Sequence, residues 1–159
     1  MKSDKWTRMY LDMAVRAAEE SHAVRKKVGA IFVSEEGVMS IGINGMPAGG
    51  SNICEHTVNG QLVTKDEVSH AEENLLTKML REGLSAKGGT VYCTLSPCVN
   101  CAKMMVNAGI KQIWYLEEHN AAGINYTKQS KTQIGVYDKF SSWQNNEEDS
   151  YSALIDLHT

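Results

Sequence analysis

Between Ser69 and Met105 the chain carries His70-Ala71-Glu72 and, further on, Pro97-Cys98-Val99-Asn100-Cys101. One imidazole and two thiols are ligand types that zinc prefers. Three protein ligands leave the fourth tetrahedral position to water, the arrangement of a catalytic rather than a structural centre. This set constrains the fold, because ligands far apart in sequence must meet in space. Cys98 and Cys101 are three apart, so in the first turn of a helix both sulfurs face one side. A helix N-terminus also lowers thiol pKa values. Its positive end would repel a bare dication, but two thiolates cancel that charge. His70 and Glu72 are two apart, which in mid-helix places them on nearly opposite faces. They share a site only if His70 stands at the very start of its helix. The polar run Lys65-Asp66-Glu67-Val68-Ser69 suits such a start, with Ser69 as N-cap.

The chain has 159 residues, a length that suits one domain over 1–159 with room for a core. A net charge of -3 argues against a broad nucleic-acid-binding face. No apolar run approaches the length of a membrane span, and Met1-Lys2-Ser3-Asp4-Lys5 lacks a signal-peptide core. A cytoplasmic, reducing environment is therefore expected. The four cysteines are then metal ligands or core residues before they are disulfides.

Trp6 to Ser21 is predicted as an amphipathic helix with Trp6, Met9, Tyr10, Met13, Ala14, Ala17 and Ala18 on its apolar face. Val28 to Val33 and Val38 to Ile43 read as strands joined by a hairpin loop, Ser34-Glu35-Glu36-Gly37. Before them, Arg25, Lys26 and Lys27 either contact a phosphate or form a solvated basic turn. The Gly- and Pro-rich run Asn44 to Gly50 is a loop. Asn44 offers amide donors and an acceptor to a sugar or base, though Asn44-Gly45 also reads as a plain turn.

Ser51 to Ser69 reads as a polar surface insertion. Cys54 and His56, with His22, make an incomplete set for a second zinc site, since a structural site normally needs four ligands. His70 to Gly83 is predicted as a helix burying Ala71, Leu75, Leu76, Met79 and Leu80, with Gly83 at its C-terminal cap. Thr90 to Leu95 is a strand, with Cys93 as a small core residue. Pro97 is expected at the first position of a helix that runs to about Ala108 and ends at Gly109. Ile110 to Leu116 is a strand, Asn120 to Thr132 a weak helix and Ile134 to Tyr137 a short strand. Ser141 to Ser150 is polar and acidic, and Tyr151, Leu154, Ile155 and His158 suit a final helical turn or two. Helices alternating with strands imply right-handed crossovers and a parallel portion, and the first hairpin an antiparallel one. A mixed sheet with helices on both faces follows.

His-x-Glu followed by Pro-Cys-x-x-Cys is the signature of zinc-dependent nucleobase deaminases. From Trp6 to Glu118 the chain resembles the cytidine and deoxycytidylate deaminase superfamily. Within it, the chain is similar to the deoxycytidylate (dCMP) deaminases, particularly phage-type ones. The resemblance is carried by Lys27-Val28-Gly29-Ala30-Ile31, Gly42 to Gly50, His70-Ala71-Glu72-Glu73-Asn74 and Thr94 to Lys103. The zinc motif points only to the superfamily. The Asn-Gly-x-Pro-x-Gly-Gly loop and the wording Ser-Pro-Cys-x-x-Cys-Ala-Lys narrow it further.

The resemblance implies an α/β, three-layer α-β-α cytidine deaminase-like fold with a mixed five-stranded sheet. It implies hydrolysis of dCMP to dUMP and ammonia, feeding thymidylate synthesis. It also implies a homohexamer activated by dCTP with magnesium and inhibited by dTTP. His70, Cys98 and Cys101 match the zinc ligands and Glu72 the proton shuttle. Asn44 and Gly45 match a nucleotide-contacting segment, and Arg81 falls where relatives place a basic residue near the phosphate. Arg81 is equally an ordinary surface arginine. His119 departs from the pattern, since many relatives have tyrosine there. Cys54 matches part of a second zinc site of some phage members, and that site is not carried over. A tRNA adenosine deaminase shares the zinc motif but requires a surface for an RNA loop. A catalytically idle nucleotide-binding regulator requires neither Glu72 nor a complete ligand set.

Overall fold

The computed structural model describes residues 4–138. Its elements run α1 (Asp4–Ala18), β1 (Gly29–Val33), β2 (Met39–Ile43), β3 (Glu55–Val58), β4 (Gln61–Thr64) and α2 (Ala71–Arg81). They continue with β5 (Thr90–Leu95), α3 (Val99–Asn107), β6 (Gln112–Glu117), α4 (Ala121–Lys128) and β7 (Gln133–Val136). Five strands form one sheet in the order β2-β1-β5-β6-β7, and β3 and β4 form a separate hairpin. β1 is antiparallel to both β2 and β5, whereas β5, β6 and β7 are parallel. The mixed sheet expected from the element order is present.

Alternation along each strand splits the core into two layers. Ala30, Phe32, Val91, Cys93, Ile113 and Tyr115 face one way and pack with Ala71, Leu75 and Met79 of α2, Cys101 and Met105 of α3, and Ile124 of α4. Ile31, Val33 and Tyr92 face the other way and pack with Tyr10, Leu11 and Ala14 of α1. Helices therefore cover both faces, three on one and α1 on the other.

Several local expectations need correction. The buried face of α1 is Thr7, Tyr10, Leu11, Ala14, Ala17 and Ala18, while Trp6, Met9 and Met13 are exposed. The alanines dictate this rotation, because they let α1 approach β1 closely. A Cβ at Gly29 would run into the carbonyl oxygen of Ala14. On α2, Leu80 points to solvent at 80% exposure, and the buried positions are Ala71, Glu72, Leu75 and Met79. The insertion between β2 and α2 is not a plain loop but contains the β3–β4 hairpin. Asn59 (φ 50) and Gly60 (φ 76) turn it, the Asn-Gly pair that a two-residue hairpin turn demands. Pro97 precedes the cap of α3 rather than opening its first turn, because Cys98 itself is the N-cap. The Asn120–Thr132 helix and the Ile134–Tyr137 strand appear as α4 and β7, and Gly109 (φ 86) follows the end of α3. The acidic run and the last helical turns expected after Ser141 lie outside the described residues.

The two leucines of α2 offer a direct check. Leu75 is fully buried, so Leu75→Ala should destabilise by about 2–5 kcal/mol through lost burial and a cavity. Leu80→Ala should change stability by no more than about 0.5 kcal/mol. Urea denaturation midpoints of the two variants would show whether α2 is seated in this rotation.

Candidate active site

The site forms where α2 and α3 begin. Ser69 is not the N-cap of α2. It pairs with Gly45 in an isolated bridge, with Gly45 N–H donating to Ser69 O at 3.1 Å and Ser69 N–H to Gly45 O at 2.9 Å. This pairing delivers His70 in an extended conformation (φ -70, ψ 159) to the N-cap position. Glu73, three residues on, accepts from the His70 N–H at 3.1 Å and locks the start of the helix. Glu72 then falls in the first turn with its side chain turned inward, only 4% exposed.

α3 starts the same way. Cys98 is its N-cap, and its Sγ accepts from the Cys101 N–H at 3.4 Å. Cys101 follows one turn later and is fully buried. The two helix starts bring His70 Nδ1 to 3.5 Å from Cys98 Sγ and 3.4 Å from Cys101 Sγ. All three donor atoms lie within 4.8 Å of one another. Tetrahedral zinc with bonds of about 2.3 Å to sulfur and about 2.1 Å to nitrogen requires an S···N separation of about 3.6 Å. The donor set and spacing therefore fit zinc. Among the described residues this is the group with metal-binding geometry. Cys54 is buried and directs its thiol to Asn52 O at 3.6 Å, while His22 and His56 are exposed.

The electrostatics run against one expectation. Burial pushes the Cys101 thiol well up, reinforced by the nearby charge of Glu72 and by Cys98. This direction is opposite to the one expected of a thiol at a helix N-terminus. Burial likewise raises the Glu72 carboxyl above the ordinary range. Its own backbone N–H, the His70 charge and the thiols of Cys101 and Cys93 pull it back only in part. Cys93 is a core residue, as expected, but it also lies within hydrogen-bonding reach of the Glu72 carboxylate. Burial, then the Glu72 charge, pushes its thiol up as well.

A rim of loops adjoins these three residues. Asn44 Oδ1 accepts from Val28 N–H at 2.9 Å and its Nδ2 donates to Lys26 O at 2.8 Å. One donor and one acceptor of its amide therefore hold the basic turn in place. Lys26 Nζ meets Glu117 Oε2 at 3.0 Å. Ser96 donates its N–H to Glu117 O at 2.8 Å and accepts from the His119 N–H on its Oγ at 2.9 Å. His119 is thus tied by its backbone to the residue before Pro97, with its side chain exposed. α4 packs so closely behind this turn that a Cβ on Gly123 would collide with the Pro97 carbonyl. Arg81 stands apart. It ends α2, about 16 Å along the axis from the His70 end for eleven residues. Its side chain is exposed beside Glu82. Within one chain it does not share the mouth with His70.

Sequence reasoning missed Glu73, Ser96 and Gly123. Of these, Glu73 was detectable as the third residue after an N-cap.

Comparison with known proteins agrees with this geometry. Residues 4–117 match the family model of the cytidine and deoxycytidylate deaminase zinc-binding region. A deoxycytidylate deaminase of Mycobacterium phage D29 is 33% identical over 129 residues, covering 74% of this chain and 99% of the relative. The Homo sapiens deoxycytidylate deaminase is 34% identical over 119 residues, 72% of this chain and 66% of the relative. The crystal structure of the dCMP deaminase from cyanophage S-TIM5 in complex with dCMP and dUMP superposes with a TM-score of 0.79 at 33% identity. That match covers 86% of this chain and 100% of the other. The five-stranded mixed sheet, the clustered His70, Cys98 and Cys101, and these similarities establish that the chain belongs to the zinc-binding cytidine and deoxycytidylate deaminase family.

Proposed function

We propose that the protein hydrolyses dCMP to dUMP and ammonia, and so supplies dUMP for thymidylate synthesis. The observation that carries this reading is the joint placement of His70, Cys98 and Cys101 around a buried Glu72. Kinship with deoxycytidylate deaminases supplies the substrate class.

In this reading His70 Nδ1, Cys98 Sγ and Cys101 Sγ hold zinc, which when bound makes water nucleophilic near neutral pH. Glu72 moves the protons. Its carboxylate takes one from the attacking water and delivers it to the ring nitrogen beside the amino-bearing carbon, which makes that carbon electrophilic. A second transfer, from the new hydroxyl to the exocyclic nitrogen, lets the C–N bond break and ammonia leave. Burial of Glu72 supports this role, because a carboxyl raised by desolvation gives up and takes back a proton more readily near neutral pH. Asn44 and Gly45, beside the bridge that presents His70, would contact the sugar, and His119, bonded to Ser96, would lie on the rim. The exposed basic turn Arg25-Lys26-Lys27 at the same mouth complements a 5′-phosphate. Family kinship further supports assembly as a homohexamer and regulation by dCTP with magnesium and by dTTP. In an assembly Arg81 would serve a neighbouring chain's site rather than its own. No helix among the described residues is long and apolar enough to cross a membrane, in keeping with action on free nucleotides in the cytoplasm.

Two measurements test the reading. Glu72→Gln should retain one zinc per chain yet lower kcat on dCMP by at least about 10²–10⁴-fold, as expected for loss of a proton-transfer group. Ammonia release assayed with and without dCTP and magnesium would report turnover and regulation together. Full activity in the zinc-loaded variant would remove Glu72 from the mechanism. Zinc uptake should also acidify a weakly buffered solution. Cys101 is held protonated in the metal-free chain and must lose its proton to bind, so affinity should rise with pH. Cys101→Ser should release fewer protons and bind more weakly, as read by titration calorimetry in buffers of different ionisation heat.

A further inference from the structure

The β3–β4 insertion reaches the site at one buried point. Glu55, the first residue of β3, is only 7% exposed. Its Oε1 accepts two consecutive backbone N–H groups, from Val24 at 2.8 Å and Arg25 at 3.1 Å. The second strand of the hairpin adds Thr64 Oγ1, which accepts from Arg25 Nη1 at 3.1 Å. No regular secondary structure holds residues 21–28. Four of their N–H groups are met by side chains: Ser21 Oγ for Ala23, Glu55 for Val24 and Arg25, and Asn44 Oδ1 for Val28. Glu55 provides the charged contact in this set, and the turn it grips carries the exposed cations Arg25, Lys26 and Lys27. Lys26 reaches Glu117, whose carbonyl is bonded to Ser96 next to the Pro97-Cys98 turn. Asn44, at the other end, adjoins the Gly45–Ser69 bridge that presents His70.

We infer that Glu55 is a positioning residue for substrate recognition: through the Val24 and Arg25 amides it fixes the basic turn at the rim, and so sets affinity for the anionic end of the nucleotide without touching it. This rests on the nucleotide-deaminase reading above. A carboxylate that accepts two backbone donors away from water is worth more than a neutral hydrogen bond. Losing it leaves two amides without a partner and frees the turn to wander from the mouth. The reacting groups hang on the starts of α2 and α3 and are held by other bonds, so they stay in place.

The test uses the full chain loaded with zinc. Glu55→Ala should raise KM for dCMP by about tenfold or more, the scale of a lost charge-assisted hydrogen bond. Its kcat should stay within about twofold and its zinc content should not change. Affinity for deoxycytidine, read as competitive inhibition, should stay at the wild-type level, because that ligand has no phosphate. Glu55→Gln keeps an acceptor oxygen and should recover most of the loss, and it carries the test if the alanine variant does not fold. In an Arg25→Ala/Lys26→Ala/Lys27→Ala background, Glu55→Ala should add little further effect, since the cations that it positions are gone. An equal loss for dCMP and deoxycytidine, a fall in kcat at constant KM, or an unchanged KM in a folded variant would overturn the assignment. Absence of dCMP turnover in the wild-type protein would instead defeat the reading on which it rests.

Discussion

Two helix N-termini converge on one point in this molecule, and the rest of the structure has to satisfy that convergence. Each helix start carries unpaired N–H groups and the positive end of its dipole. His70 and Cys98 occupy the N-caps of α2 and α3, and their side chains approach to 3.5 Å. Two positive ends at close range in a core are unfavourable unless anionic groups lie between them. The cysteine sulfurs and Glu72 are the groups that do. The soft ligands that zinc requires are thus also acceptors for two converging helix starts; Cys101 and Glu72 are buried, while His70 is exposed and Cys98 half-buried. Burial raises both the Cys101 thiol and the Glu72 carboxyl, so gathering negative charge at this point works against its removal from water. Metal binding and folding stability are linked through those same atoms.

Strand polarity explains why the rim gathers at this end. β5 is parallel to β6 but antiparallel to β1. The C-terminal ends of β5 and β6 therefore share an edge with the N-terminal end of β1 and the C-terminal end of β2. Gly29 pairs with Ile43, and Leu95 with Glu117, at that edge. The basic turn before β1, Asn44 after β2, Ser96 after β5 and His119 after β6 meet as a direct consequence. Ligand sites in open α/β sheets lie beyond the carboxyl ends of parallel strands. Here the antiparallel hairpin adds two further loops to the same place, one of them cationic.

The clustering of His70, Cys98 and Cys101 and the order of the sheet were legible in the sequence for a common reason: both obey short-range rules. His70 and Glu72 can share a site only from a helix start, and the structure puts His70 at the N-cap. Alternation in Thr90–Leu95 and the Pro and Gly punctuation around α3 marked their elements to within a residue or two. What went unread depends on long-range packing. The rotation of α1 follows from the approach of Ala14 to Gly29, a contact between separate elements that periodicity cannot see. Leu80 fits the apolar stripe of α2 by spacing yet stands exposed to solvent. The β3–β4 hairpin was announced by Asn59-Gly60, but its polar, exposed strands hid the alternation that usually reveals a strand. By sequence Asn44 suits a ligand contact or a plain turn. The structure gives it a third role, closing the basic turn against the end of β2.

That third role belongs to a pattern. A loop facing a ligand cannot satisfy its own backbone by joining a sheet, because pairing would close the mouth. Its donors must therefore be met by side chains brought from elsewhere, and each such side chain fixes the loop at one point. In residues 21–28, Asn44 and Glu55 are such fixing points from outside the turn, and Ser21 adds one from within it. Of the three, Glu55 comes from an insertion that contributes nothing to the five-stranded sheet. A hairpin that short is marginal by itself. Here it has two anchors, the contacts of Glu55 and Thr64 with the basic turn and the Lys65 to Cys54 hydrogen bond at its base. The same bonds that order the hairpin order the loop, so neither can be loosened without the other. The insertion is thereby coupled to the rim of the site, although it supplies no ligand to it.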